Sequence, residues 1–174
     1  MLATVSSNAR KPLVKMENIV EDYINLNDRI EELDCLTPTS ICFLPENIES
    51  AKSRSDFIYT DNTLTVKKLF RKNNLNSETL SEATLFGKKK SADWIAPTLF
   101  IGYSFLSENQ VMISLALNVI SNYLTDFFKG SFGEKKVKLE IVVETTAMKT
   151  YKKITYEGNP DGIRELGDLI KTLK

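Results

Sequence analysis

The chain has 174 residues, 42% apolar and 26% charged, the composition of a folded domain and not of a disordered or fibrous chain. Lys plus Arg and Asp plus Glu number 23 each, so the formal net charge is zero, without the basic excess usual in proteins that live on nucleic acid or anionic membranes. Histidine is absent, which removes Ser-His and Cys-His nucleophilic arrangements, His-dependent zinc hydrolases and the commonest general base near neutral pH.

Residues 1–11 contain no apolar run of signal-peptide length, so a cytoplasmic location is expected. Over residues 15–34 the apolar positions Met16, Ile19, Tyr23, Leu26, Ile30 and Leu33 recur at spacings of 3, 4, 3, 4 and 3, which predicts a helix with a heptad-like seam. Val20 and Ile24 widen the stripe. The rest of the segment is acidic, with seven carboxylates against Lys15 and Arg29. Such a seam packs either on its own domain or on another chain. Cys35 and Cys42 are too few for a disulfide framework or a four-ligand metal site and read as reduced structural thiols.

Pro38 marks a turn, residues 40–44 a short buried strand, residues 46–56 a loop and residues 57–59 another brief strand. Two short helices are expected next. The first starts near Asn62 or Thr63, with Leu64, Val66, Leu69 and Phe70 as its apolar face. The second starts at Ser77 as N-cap, with Leu80 and Leu85 inward, after the separator Asn73-Asn74. A polar stretch from Gly87 to Asp93, carrying Lys88-Lys89-Lys90, is the best candidate boundary.

Residues 94–128 are the most apolar part, but Ser107-Glu108-Asn109-Gln110 interrupts them, and neither half is long enough to span a membrane. Residues 97–105 read as a buried strand. Ser107 and Gln110 fit a capping box opening a helix to about Lys129, stopped by Gly130. That helix is apolar nearly all round and must be covered on more than one side. Val137, Leu139, Ile141 and Val143 alternate with charged residues, and residues 149–156 alternate again, so the pair reads as a β-hairpin. Asn159-Pro160 starts a last helix with Ile163, Leu166, Leu169, Ile170 and Leu173 as one stripe. The expected class is α+β: a two-layer β-α-β-β-α unit over residues 91–174, preceded by a mostly helical region over residues 1–90, the two being separate parts or one compact unit.

No catalytic constellation is evident. GxGxxG, GxxxxGK[ST] and CxxC do not occur. Glu140 and Glu144 share a strand face with Lys138, and Lys149 lies across the turn, but they lack the Asp…(Asp/Glu)-x-Lys order of metal-dependent nucleases. Alternating charge on an exposed sheet face accounts for them. On a helix, Lys67, Lys68, Arg71 and Lys72 share one face at i, i+4 spacing, and Lys88, Lys89 and Lys90 follow. This cluster fits a solvated face, an acidic protein partner or phosphates.

The long apolar helix 111–128, the charged hairpin 136–156 and the helix start Gly158-Asn159-Pro160-Asp161-Gly162 together resemble effector-associated constant components, small modules of bacterial conflict and defence operons. The likeness covers residues 97–174 and includes no catalytic signature. It implies a non-enzymatic adaptor connecting a sensor to an effector. The expectation is therefore a non-catalytic adaptor or accessory subunit in antiviral defence, without cofactor or metal, binding a protein partner or a second copy through Met16, Ile19, Tyr23, Leu26, Ile30 and Leu33. The alternative is an accessory factor that contacts nucleic acid through the basic cluster at 67–72 and 88–90.

Overall fold

The structure, a computed structural model, describes residues 17–82, 85–87, 94–133 and 136–174. In chain order the elements are β1 (Glu17–Asp22), α1 (Leu26–Glu32), β2 (Ile41–Leu44), β3 (Ile58–Thr60), α2 (Thr63–Lys72), β4 (Ser77–Thr79), β5 (Leu85–Gly87), β6 (Trp94–Ile95), β7 (Thr98–Ile101), α3 (Tyr103–Glu108), α4 (Gln110–Phe127), β8 (Val137–Glu144), β9 (Tyr151–Gly158) and α5 (Leu166–Thr172). Short 3-10 turns lie at Arg54–Asp56 and Pro160–Glu165.

Among the described residues seven strands form one mixed sheet in the order β1-β9-β8-β7-β2-β4, with β6 also pairing to β8, while β3 and β5 make a separate parallel pair. The hairpin β8–β9 is antiparallel through its whole length. β7 and β8 are parallel, which requires a crossover, and α3 with α4 supplies it. Asn159 caps the final turn by accepting from Gly162 N, with Pro160 in the first helical position, as the sequence predicts.

The strand alternation sorts side chains onto two faces, and both are covered. Ile41, Phe43, Leu99, Ile101, Ile141, Val143 and Ile154 pack under α2, α4 and α5 in the larger core. Cys42, Leu44, Phe100, Val142 and Tyr151 face the other way, under α1 and the 45–57 segment. Central strands buried on both faces read as unbroken apolar runs, and Ile41-Cys42-Phe43-Leu44 is one. α4 accordingly buries Ile113, Ala116, Leu117, Ile120 and Leu124.

Several expectations are corrected. Residues 15–34 are not one helix. β1 pairs antiparallel with β9 from Glu17↔Glu157 to Asp22↔Lys152, and α1 begins only after Asn25, whose side chain accepts from Asp28 N. The β-branched pair Ile19-Val20 suits a strand, and Glu21 and Asp22 meet Lys153 and Lys152 at 3.1 and 2.5 Å across it. Ser77 opens no helix: residues 77–79 add β4 to the sheet, parallel to β2. Ser107 lies inside α3, whose first turn is capped from β8, where Glu144 Oε2 accepts from Tyr103 N at 2.9 Å. The N-terminal part is as much strand as helix, and β1, β2 and β4 share the sheet with β7, β8 and β9 across the expected boundary near residue 90. The second covered face replaces the expected two layers with three over the middle of the sheet.

Candidate functional site

The basic cluster acquires a shape from the way α2 ends. Thr63, Val66 and Phe70 turn inward, Phe70 meeting Phe43 with ring centroids 5.5 Å apart, so Lys67, Lys68, Arg71 and Lys72 must face outward. The helix closes in a Schellman motif. Asn74 takes the left-handed conformation (φ 58°), Leu75 N donates to Phe70 O at 2.9 Å and Asn74 N to Arg71 O at 3.1 Å. The chain then runs back beside α2 into β4. Between them lies a cleft of about 360 Å³ lined by Leu64, Lys67, Lys68, Arg71, Leu75, Asn76 and Ser77.

Among the described residues the cleft is lined by three cations and no carboxylate. Lys67 Nζ donates to Thr79 Oγ1 at 3.5 Å, and among the described residues Lys68, Arg71 and Lys72 form no ion pair. Leu75 is buried at its floor, while Leu64 stands 44% exposed at its lip. The nearby carboxylate, Glu78, is held elsewhere: its Oε1 accepts from Thr39 N, Thr39 Oγ1, Ser40 N and Ser40 Oγ at 2.7 to 3.2 Å. Among the described residues no ion pair cancels the cationic field of the cleft, which suits an anionic group.

Glu78 also gives the contact between β4 and the 39–40 turn a pH dependence. Burial pushes its carboxyl up, but the hydrogen bonds from Ser40 and Thr39 outweigh this and hold it below the usual carboxylate value. The stability this adds is complete above the ordinary carboxylate range and is lost as pH falls through the lowered value. Urea midpoints measured from neutrality downward are expected to drop less steeply for Glu78→Gln than for the natural chain. Parallel curves would show that the turn at 39–40 does not depend on the charge of Glu78.

The other expected site residues fall into separate places. Leu26, Ile30 and Leu33 are 0, 1 and 5% exposed in the core under α1, Tyr23 is half-buried, and Ile19 is 55% exposed on the edge strand β1. They form no continuous seam, because the chain changes from strand to helix between Tyr23 and Leu26. Met16 and the run Lys88-Lys89-Lys90 lie outside the described residues. Arg29 fastens α1 to the 45–57 segment by donating to the carbonyls of Ile48 and Ala51.

Glu140 and Glu144 have distinct tasks, Glu140 pairing with Lys138 at 3.1 Å and Glu144 capping α3. Burial pushes the Cys42 thiol far up, which keeps it protonated. Among the described residues no group of three His, Cys, Asp or Glu side chains could hold a metal ion. Leu64, Leu75, Asn76 and Ser77 escaped the sequence reading as site residues. The signal was the Asn73-Asn74 pair, which marks a left-handed helix end and a reversal of the chain.

Fold and cleft together define an α+β protein with one mixed sheet, helices on both faces and a basic cleft at the β4 edge. Among the described residues no helix is long and apolar enough to cross a membrane. A scan against protein-family models, a search of curated proteins and a search of solved structures each found no match.

Proposed function

We propose that this protein is a non-catalytic adaptor or accessory subunit that binds an acidic segment of a protein partner in the cleft between α2 and β4. The observation that carries the reading is three cations, without carboxylate partners among the described residues, set around an apolar floor. A nucleic-acid backbone asks for charge spread along a track and has no use for Leu64 and Leu75. A peptide uses both, its carboxylates meeting Lys67, Lys68 and Arg71 while an apolar side chain fills the floor. Both cysteines are free thiols, in keeping with action in the reducing cytoplasm. The likeness of residues 97–174 to effector-associated constant components supports the adaptor role and extends the proposal to a bacterial conflict or antiviral-defence system.

The unpaired exposed cations also favour a second reading, an accessory factor that contacts nucleic acid. The two separate on purification of the tagged chain from its own host with and without nuclease. A stoichiometric protein that stays bound through nuclease treatment is the expected result. Loss of all bound material on nuclease treatment would overturn the protein reading in favour of the nucleic-acid one. A bare monomer in both preparations would overturn both.

A further inference from the structure

A second cavity lies at the other end of α2, and its chemistry is opposite to that of the basic cleft. It encloses about 340 Å³, within the size range of small-ligand sites. Three aromatic residues line it: Trp94 and Tyr123 have ring centroids 6.1 Å apart at 63°, and Tyr123 and Phe127 6.0 Å apart at 38°. Asp61, Asn62 and Thr65 line the same cavity. No cation lines the cavity among the described residues, and Asp61 has no ion-pair or hydrogen-bond partner there. Asn62 Nδ2 donates to Ile95 O at 2.6 Å, while Asn62 Oδ1 is buried without a hydrogen-bond donor among the described residues.

We infer that this cavity is a binding site for a guanidinium group, a function separate from the proposed docking of an acidic segment. A carboxylate without a cationic partner among the described residues, in a cavity lined by aromatic rings, selects a cation. Trp94, Tyr123 and Phe127 follow one another at centroid spacings of 6.1 and 6.0 Å, and aromatic faces favour a flat cation that can stack on them over a tetrahedral ammonium. A guanidinium is planar, stacks on ring faces and presents paired N–H groups that match the two oxygens of Asp61. Its source is either an arginine side chain of a partner protein or a free guanidino compound, and the chemistry of recognition is the same.

The chain carries its own reporter, because Trp94 is its single tryptophan and lines the cavity. The test is a fluorescence titration of the full chain with N-acetyl-arginine methylamide, free L-arginine, N-acetyl-lysine methylamide and adenosine. The expected result is a saturable change in Trp94 emission with the arginine amide, at least tenfold weaker binding of the lysine amide, and at least tenfold weaker arginine binding in Asp61→Asn. Phe127→Ala, at a side chain that is 55% exposed, is expected to weaken binding as well, and circular dichroism checks that both variants remain folded. Tighter binding of the amide supports a guanidinium borne by a partner chain, and tighter binding of free L-arginine supports a free guanidino ligand. No saturable change with either arginine probe, an equal response to lysine, an undiminished response in Asp61→Asn, or a preference for adenosine would each overturn the assignment. Lys68→Glu with Arg71→Glu is expected to leave the arginine response intact, so failure here is distinguishable from failure of the adaptor reading.

Discussion

Leu26→Asp combined with Ile30→Asp is expected to unfold the chain. Both side chains are essentially inaccessible and pack with Cys42, Leu44, Phe100 and Val142 in the core under α1. An unpaired carboxylate in such a place costs several kcal/mol, and two of them consume a typical domain stability of about 5–15 kcal/mol. Leu26→Ala alone, which leaves a void without a charge, is expected to cost about 2–5 kcal/mol in urea denaturation. Far-UV circular dichroism of the double variant checks the larger effect. Read as a heptad seam, the same pair would lose a partner while keeping the fold. A folded double variant would therefore contradict the placement of α1 beneath the sheet.

Lys68→Glu with Arg71→Glu should have the reverse signature, a large loss of binding with little change in stability. Both side chains are exposed on α2, and neither has an ion pair among the described residues. Surface changes of this kind ordinarily alter stability by within about 0.5 kcal/mol. Against an acidic partner, each reversal replaces a charge-assisted contact with a repulsion. About 3 kcal/mol for the pair, or roughly a hundredfold in affinity, is the expected minimum. The control is Lys52→Glu, an exposed lysine in the segment covering the opposite face of the sheet, expected to leave binding unchanged.

The sequence carried the parts of this fold that are decided locally. The alternation of β8 and β9, the Asn159-Pro160 start and the apolar surface of α4 are written in neighbouring residues. Those features survive in the structure within a residue or two. What escaped was decided at long range. Residues 17–22 satisfy a helical spacing as readily as a strand, and they become β1 because the open edge of β9, more than a hundred residues away, supplies hydrogen-bond partners and lysines. Ser77–Thr79 has no apolar residue to announce a strand, and it is held beside β2 by the grip of Glu78 on Thr39 and Ser40.

The candidate cleft was half legible. The i, i+4 spacing put Lys67, Lys68, Arg71 and Lys72 on one face of a helix, but Leu64 reads as a core residue in sequence and stands at the lip of the cleft in the structure. The cavity facing Trp94 was not legible at all. It unites Asp61 and Asn62 with Tyr123 and Phe127, about sixty residues apart, through the packing of α2 against α4.

The measurement that tests the adaptor account most directly is light scattering coupled to size-exclusion chromatography, on nuclease-treated material purified from the host. It should be run side by side on the natural chain and on Lys68→Glu with Arg71→Glu. The account predicts a heteromeric mass for the natural chain and the 19.7 kDa monomer mass for a folded double variant. The same complex mass for both proteins would contradict it, because the cleft between α2 and β4 would then have no part in holding the partner.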